Sequence, residues 1–291
     1  MKILYGKNNF VDVTATIVGK PTPFFIPASD DLRLKIFGTD PETGVLKVVL
    51  LEDDLGNKYV FNNTVHFSIE LKNGKYSIIN ITEKLKYIHS TLSLKHGSLQ
   101  EEFDEQIMAT LFIQPTMRVL EIGGNVGRNS CVISKLLADS SQLTVVESDP
   151  SIANCLYDNK RLNNLQFTIV DGAISKKQMI QNSWDTKYSE GGVVPEGWKR
   201  INITSWENIL QRHGPFDTLV ADCEGALYHI LQEEPTFFSN FKTVLVENDY
   251  YSLENKKVVD EAMKKEGFNV AYEKGGGWGA CKDFFYQAWR R

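Results

Sequence analysis

The chain has 291 residues, 42% hydrophobic and 24% charged, an ordinary globular composition long enough for one large core or two smaller ones, and two domains are expected. A formal net charge of −5 gives no basic field, which argues against a nucleic-acid partner and favours a small or neutral substrate. Four widely spaced cysteines, Cys131, Cys155, Cys223 and Cys281, contain no CxxC pair and argue against a zinc site or a disulfide framework.

The chain starts without a basic segment followed by an apolar one and has no run of 18 apolar residues, so a cytoplasmic protein with no membrane span is expected. The three acceptor sequons, at Asn62, Asn80 and Asn202, then read as chance matches. Up to about residue 95 the apolar spacing is short and period-two, as in 64–71, and the turn signals Asp54-Leu55-Gly56-Asn57 and Asn73-Gly74 separate the runs. This predicts a small β-rich domain over 1–95, for acceptor binding or for dimerisation into a homo-oligomer. Over 96–291 apolar strands alternate with helix-length segments, the rhythm of a doubly wound α/β sheet. Strands are predicted at 117–122, 143–147, 166–170, 216–221, 243–247, 268–272 and 283–289. Asp149-Pro150 is an N-cap with proline behind it, followed by a stripe of Ile152, Leu156 and Leu162. Ser252 starts a further helix that Gly267 ends. The turn at Gly275-Gly276-Gly277-Trp278-Gly279 is so short that the last two strands must be antiparallel.

The first of these strands runs into Glu121, a glycine-rich turn at Gly123-Gly124-Asn125-Val126-Gly127, and a helix. Glycines let backbone approach a ligand, and the helix start points unpaired N–H groups into the crevice at the strand ends. The spacing is not G-x-G-x-x-G and no Walker lysine follows, so NAD and ATP fit poorly. Glu121 before the turn suits a ligand ammonium group. Glu147, with Ser148, ends the second strand where a ribose diol would lie, and Asp171-Gly172-Ala173 ends the third where an adenine amino group would meet a carboxylate. An amino acid, a ribose and an adenine together describe S-adenosylmethionine.

Glu121-Ile122-Gly123-Gly124-Asn125-Val126-Gly127, Glu147-Ser148-Asp149-Pro150 and above all Phe216-Asp217-Thr218-Leu219-Val220-Ala221-Asp222-Cys223-Glu224-Gly225-Ala226 resemble the FkbM-type methyltransferases over roughly residues 100–250. Two positions depart: the family often has lysine where Ala221 stands and glutamate where Leu227 stands. The resemblance implies a Rossmann-like doubly wound methyltransferase sheet with an antiparallel last strand, and O-methylation of a sugar, glycan or nucleotide-sugar hydroxyl. Such a hydroxyl needs a base or a metal to take its proton. Asp222 and Glu247-Asn248-Asp249 end the fourth and fifth strands, and Asp222, Glu247 and Asn248 are candidate ligands for Mg2+ or another divalent cation. Asp222 is also a candidate cofactor contact. Without a metal, Asp222, Glu224 or His229 is the candidate base, although Asp222 and Glu224 also suit a helix cap and His229 a packing role. Residues 182–200, with Trp184, Tyr188, Gly191, Gly192, Trp198 and Lys199, suggest a lid, and Trp278 a further contribution to the same pocket. Nucleic-acid amino-methylation lacks its proline-aromatic motif after the fourth strand. An NAD-dependent enzyme acting on a sugar nucleotide and a non-catalytic glycan-binding or assembly module are the alternatives.

Overall fold

The computed structural model describes residues 1–20 and 22–291, and the chain divides into two compact units, Met1–Tyr87 and Ile88–Arg291. The first unit is built on β1 (Lys2–Gly6), β2 (Phe10–Asp12), β3 (Phe24–Ile26), α1 (Asp30–Phe37), β4 (Val48–Glu52), β5 (Lys58–Phe61), β6 (Phe67–Lys72) and β7 (Lys75–Asn80), with α2 (Ile81–Ser90) at its end. The strands form two antiparallel sheets, β2-β1-β4-β5 and β3-β6-β7. Asn73 and Gly74 both take positive φ, 52° and 73°, so the β6–β7 hairpin closes in the two-residue turn whose twist matches that of the strands. Alternation buries Ile3, Tyr5, Val49, Leu51, Phe67 and Ile69 in one core. The alternation gave no warning of α1, whose start is capped by the Ser29 hydroxyl accepting from the Leu32 N–H and whose end is Gly38 at φ 67°.

The second unit runs α3 (Phe103–Phe112), β8 (Val119–Ile122), α4 (Arg128–Leu136), β9 (Leu143–Glu147), α5 (Pro150–Leu162), β10 (Thr168–Asp171), β11 (Ala173–Ile174), β12 (Met179–Asn182), β13 (Asp185–Tyr188), β14 (Lys199–Arg200), β15 (Ile203–Thr204), α6 (Trp206–His213), β16 (Thr218–Ala221), α7 (Ala226–Glu233), β17 (Thr243–Glu247), α8 (Leu253–Lys265), β18 (Asn269–Lys274) and β19 (Tyr286–Arg290). Seven of these strands form one sheet in the order β10-β9-β8-β16-β17-β19-β18, and each overlaps one of the seven predicted runs. The first five are parallel, and β19 lies antiparallel between β17 and β18. Helices cover both faces, so the central strands are buried throughout and read as continuous apolar runs. The chain winds outward from β8 in one direction and from β16 in the other, which opens a crevice at their carboxyl ends.

Asp149 caps α5, its carboxylate accepting from the Ser151 N–H at 2.8 Å with Pro150 in the first turn. Its stripe ends early: Leu156 is fully buried, but Leu162 is 50% exposed. Residues 182–200 are not a single open loop. β12, β13 and β14 make a small antiparallel sheet with β12 in the middle. Among the described residues no helix is long and apolar enough to cross a membrane.

Candidate functional site

The glycine turn owes its shape to two close approaches. Gly123 has φ +87°, and a Cβ there would run into the carbonyl oxygen of Asp222, so the ends of β8 and β16 touch through backbone. Asn125, also left-handed at φ 46°, donates its N–H to Glu147 Oε2 at 2.8 Å, while Glu147 Oε1 accepts from the Asp149 N–H at 2.8 Å. The carboxylate at the end of β9 is thereby fixed before any ligand arrives. Gly124 and Gly127 serve packing instead, since a Cβ at either would strike Leu156, and at Gly124 Val145 as well.

A cavity of about 340 Å³ opens at these strand ends, within the range of small-molecule sites. The structure places Gly123, Asn125, Glu147, Ser148, Gly172 and Ala173 on its wall, together with Asp222, Glu224, His229 and Glu247. Other predicted site residues stand off the wall. Glu121 points to the other side of β8 from the lining residue Ile122 and is buried beside Ser130. Asp171 is exposed at the end of β10. Asn248 is off the wall and turned toward the last strand, its Nδ2 donating to the Phe284 carbonyl at 2.8 Å and to Gln287 Oε1 at 3.0 Å. Asp249 accepts from the Gly225 N–H at 2.9 Å and braces the turn into α7. Trp278 packs against Tyr251 with the rings tilted, centroids 5.2 Å apart, at 43% exposure outside the wall.

The place expected for Asn248 is taken by Glu105, a residue sequence reasoning did not single out. Glu105 sits on α3, and carboxylate oxygens of Glu105, Asp222 and Glu247 lie within 4.8 Å of one another. Glu105 is itself buried, in a helix whose Ile107, Met108, Leu111 and Phe112 are buried too, and Asp104 and Gln106 beside it hide it among polar neighbours in the sequence. Glu102, at the head of the same helix, also lines the cavity, and its carboxylate meets Arg128 at 2.5 Å.

Burial, reinforced by the neighbouring carboxylates, holds Glu105 and Asp222 well above the ordinary carboxyl range. Burial also pushes Glu247 to about 7, Asp249 to about 7 and Glu121 to about 8. Such groups bind protons more tightly folded than unfolded. Their contribution to stability is complete below the unfolded carboxyl range, near pH 4, and is lost as pH rises through about 7 to 8. The ligand-free protein is therefore expected to melt roughly 5–10 °C lower at pH 8.5 than at pH 5.5. Differential scanning calorimetry checks this, and a melting temperature flat or rising across that window contradicts it.

The small sheet forms a further wall of the cavity. Met179 and Gln181 on β12, and Thr186 and Tyr188 on β13, alternate so that one face of the hairpin lines the cavity. Tyr188 meets the His229 ring edge-on at 5.8 Å, and Tyr228 does so at 5.3 Å. Burial lowers the His229 pKa, leaving a neutral imidazole on the fourth residue of α7. Lys199 on β14 ties the sheet to the head of α5 through Asp149 at 2.6 Å. Trp184, at the hairpin tip, lines the mouth and is 52% exposed.

The strand order, with one antiparallel strand beside the fifth parallel one, is that of a doubly wound, mostly parallel α/β sheet. No family model matches the chain, and no curated protein matches it. Solved structures similar to it include an O-methyltransferase from Bacillus cereus in complex with SAH, at 13% identity and TM-score 0.44, covering 72% of this chain and 90% of that one. A precorrin-6y C5,15-methyltransferase from Geobacter metallireducens shares 14% identity at TM-score 0.41, over 69% and 96% of the two chains. Fibrillarin from Aeropyrum pernix with S-adenosyl-L-methionine shares 10% at TM-score 0.38, over 83% and 93%.

Proposed function

We propose that the second unit is an S-adenosylmethionine-dependent O-methyltransferase of the FkbM type, acting on a hydroxyl of a sugar or glycan. One observation carries this reading: the cavity at the strand ends is lined by Glu102, Glu105, Glu147, Asp222, Glu224 and Glu247. Only Glu102 of the six has a cationic partner, Arg128, among the described residues. Carboxylates in that density, Glu105 and Glu147 buried and the other four half-buried, favour a cationic guest, and the adenosyl cofactor has both an ammonium and a sulfonium. The same charge opposes the diphosphate of NAD, which would have to lie against the turn at Gly123.

The cofactor, when bound, supplies a methyl group on a sulfonium leaving group. Glu147 would take the ribose diol on the carboxylate that Asn125 and Asp149 already orient, and the backbone at Gly123 and Asn125 would lie along the amino-acid part. Asp222 closes the opposite side. Its carboxylate, with Glu105 and Glu247, would orient the acceptor hydroxyl and take its proton, and His229 is placed to assist as a neutral base. The all-oxygen set of Glu105, Asp222 and Glu247 also suits Mg2+, which would lower the hydroxyl pKa. Trp184 and Tyr188 offer ring faces for a sugar. The first unit would hold the acceptor or a second copy of the chain.

The reading predicts that S-adenosylhomocysteine binds and NAD does not in isothermal calorimetry. Under the metal variant, methyl transfer to sugars is lost with a chelator and restored by magnesium. Activity unaffected by chelator would leave the carboxylates alone as the base.

A further inference from the structure

Gln181 is 3% exposed and lines the cavity from the middle strand of the small sheet. Its Nε2 donates to the Ser183 carbonyl at 2.9 Å, which settles the orientation of the amide, because only the nitrogen can donate to a carbonyl. Oε1 is left buried with no hydrogen-bond partner in the protein. A buried acceptor in that state is costly, and inside a ligand cavity a donor on the ligand is what relieves it. The position narrows the donor. Gln181 pairs in register with Lys199, and Lys199 reaches Asp149 at the head of α5. Gln181 therefore belongs to the side of the cavity made by the ends of β9 and β10, where Ser148, Gly172 and Ala173 stand. With the ribose on Glu147, this is where a base would lie. Asp171, the carboxylate expected to read that base, is exposed and off the wall.

We propose that Gln181 reads the cofactor base, its Oε1 accepting a hydrogen bond from the 6-amino group of adenine, so that the cavity selects a 6-aminopurine. This rests on the adenosyl-cofactor reading above. The test compares S-adenosylhomocysteine with S-inosylhomocysteine, whose 6-oxo group would set an acceptor against an acceptor, by isothermal calorimetry on the full chain. The wild-type protein is expected to bind the inosyl compound about 10- to 100-fold more weakly. Gln181→Met, similar in length but without the acceptor, is expected to weaken S-adenosylhomocysteine about 10-fold and to bring the two ligands within about 3-fold of each other. Equal binding of both ligands by the wild type overturns the inference even if the variant fails to fold. Undiminished discrimination in a folded Gln181→Met overturns it as well. In both cases S-adenosylhomocysteine still binds, so the cofactor reading survives; failure of S-adenosylhomocysteine to bind the wild type overturns both.

Discussion

Gly123→Ala is expected to abolish cofactor binding and to lower the melting temperature by about 10 °C or more. Two costs coincide at this position. A non-glycine residue at φ +87° is strained, and the added Cβ falls on the Asp222 carbonyl oxygen, a backbone atom that cannot rotate aside. Relief would require the ends of β8 and β16 to part, and these ends form the floor of the cavity. A loss of about 3–5 kcal/mol is the scale for such a clash. Gly191→Ala is the control: it shares a positive φ, 58°, but its Cβ would meet nothing within 4 Å, so it should cost no more than about 1 kcal/mol. Thermal denaturation of the two variants checks the pair, and a Gly123→Ala protein as stable as Gly191→Ala contradicts the close approach.

Asp222→Asn is expected to separate function from stability. The substitution keeps the size and removes one charge from the carboxylate group of Glu105, Asp222 and Glu247. Methyl transfer should fall by roughly 10³-fold or more, as for loss of a proton acceptor or cation ligand. S-adenosylhomocysteine binding should stay within about 10-fold, because the backbone at Gly123 and the carboxylate of Glu147 are untouched. Relief of repulsion should raise the melting temperature at pH 8 by a few degrees. Single-turnover kinetics and calorimetry on one preparation check all three, and an active variant removes Asp222 from the chemistry.

Much of the sheet was legible because its strands are buried on both faces and punctuated by glycine and capping residues: Asp149-Pro150 before α5, Ser252 before α8, and Gly267, at φ 85°, after it. At the site, legibility failed by one residue at a time. Side chains alternate across a strand, so when Ile122 and Glu247 line the cavity, Glu121 and Asn248 must face away. A run of acidic or amide residues at a strand end does not say which member faces in. Glu105 and Gln181 were out of reach for a different reason. Each comes from an element outside the sheet, α3 and β12, whose place over the strand ends is fixed by tertiary packing rather than by local pattern. Residues 182–200, read as a lid from their aromatics and glycines, hide two short strands whose pairing no period revealed.

Titration of the protein with S-adenosylhomocysteine and, separately, with NAD at pH 7.5 decides whether the acidic cavity at the ends of β8, β9 and β16 holds an adenosyl sulfonium cofactor. Saturable one-to-one binding of the former with a Kd in the range of about 1–100 µM is expected, and no binding of the latter. No heat from S-adenosylhomocysteine up to about 1 mM, or NAD binding as tight, would contradict that cofactor's place in the cavity.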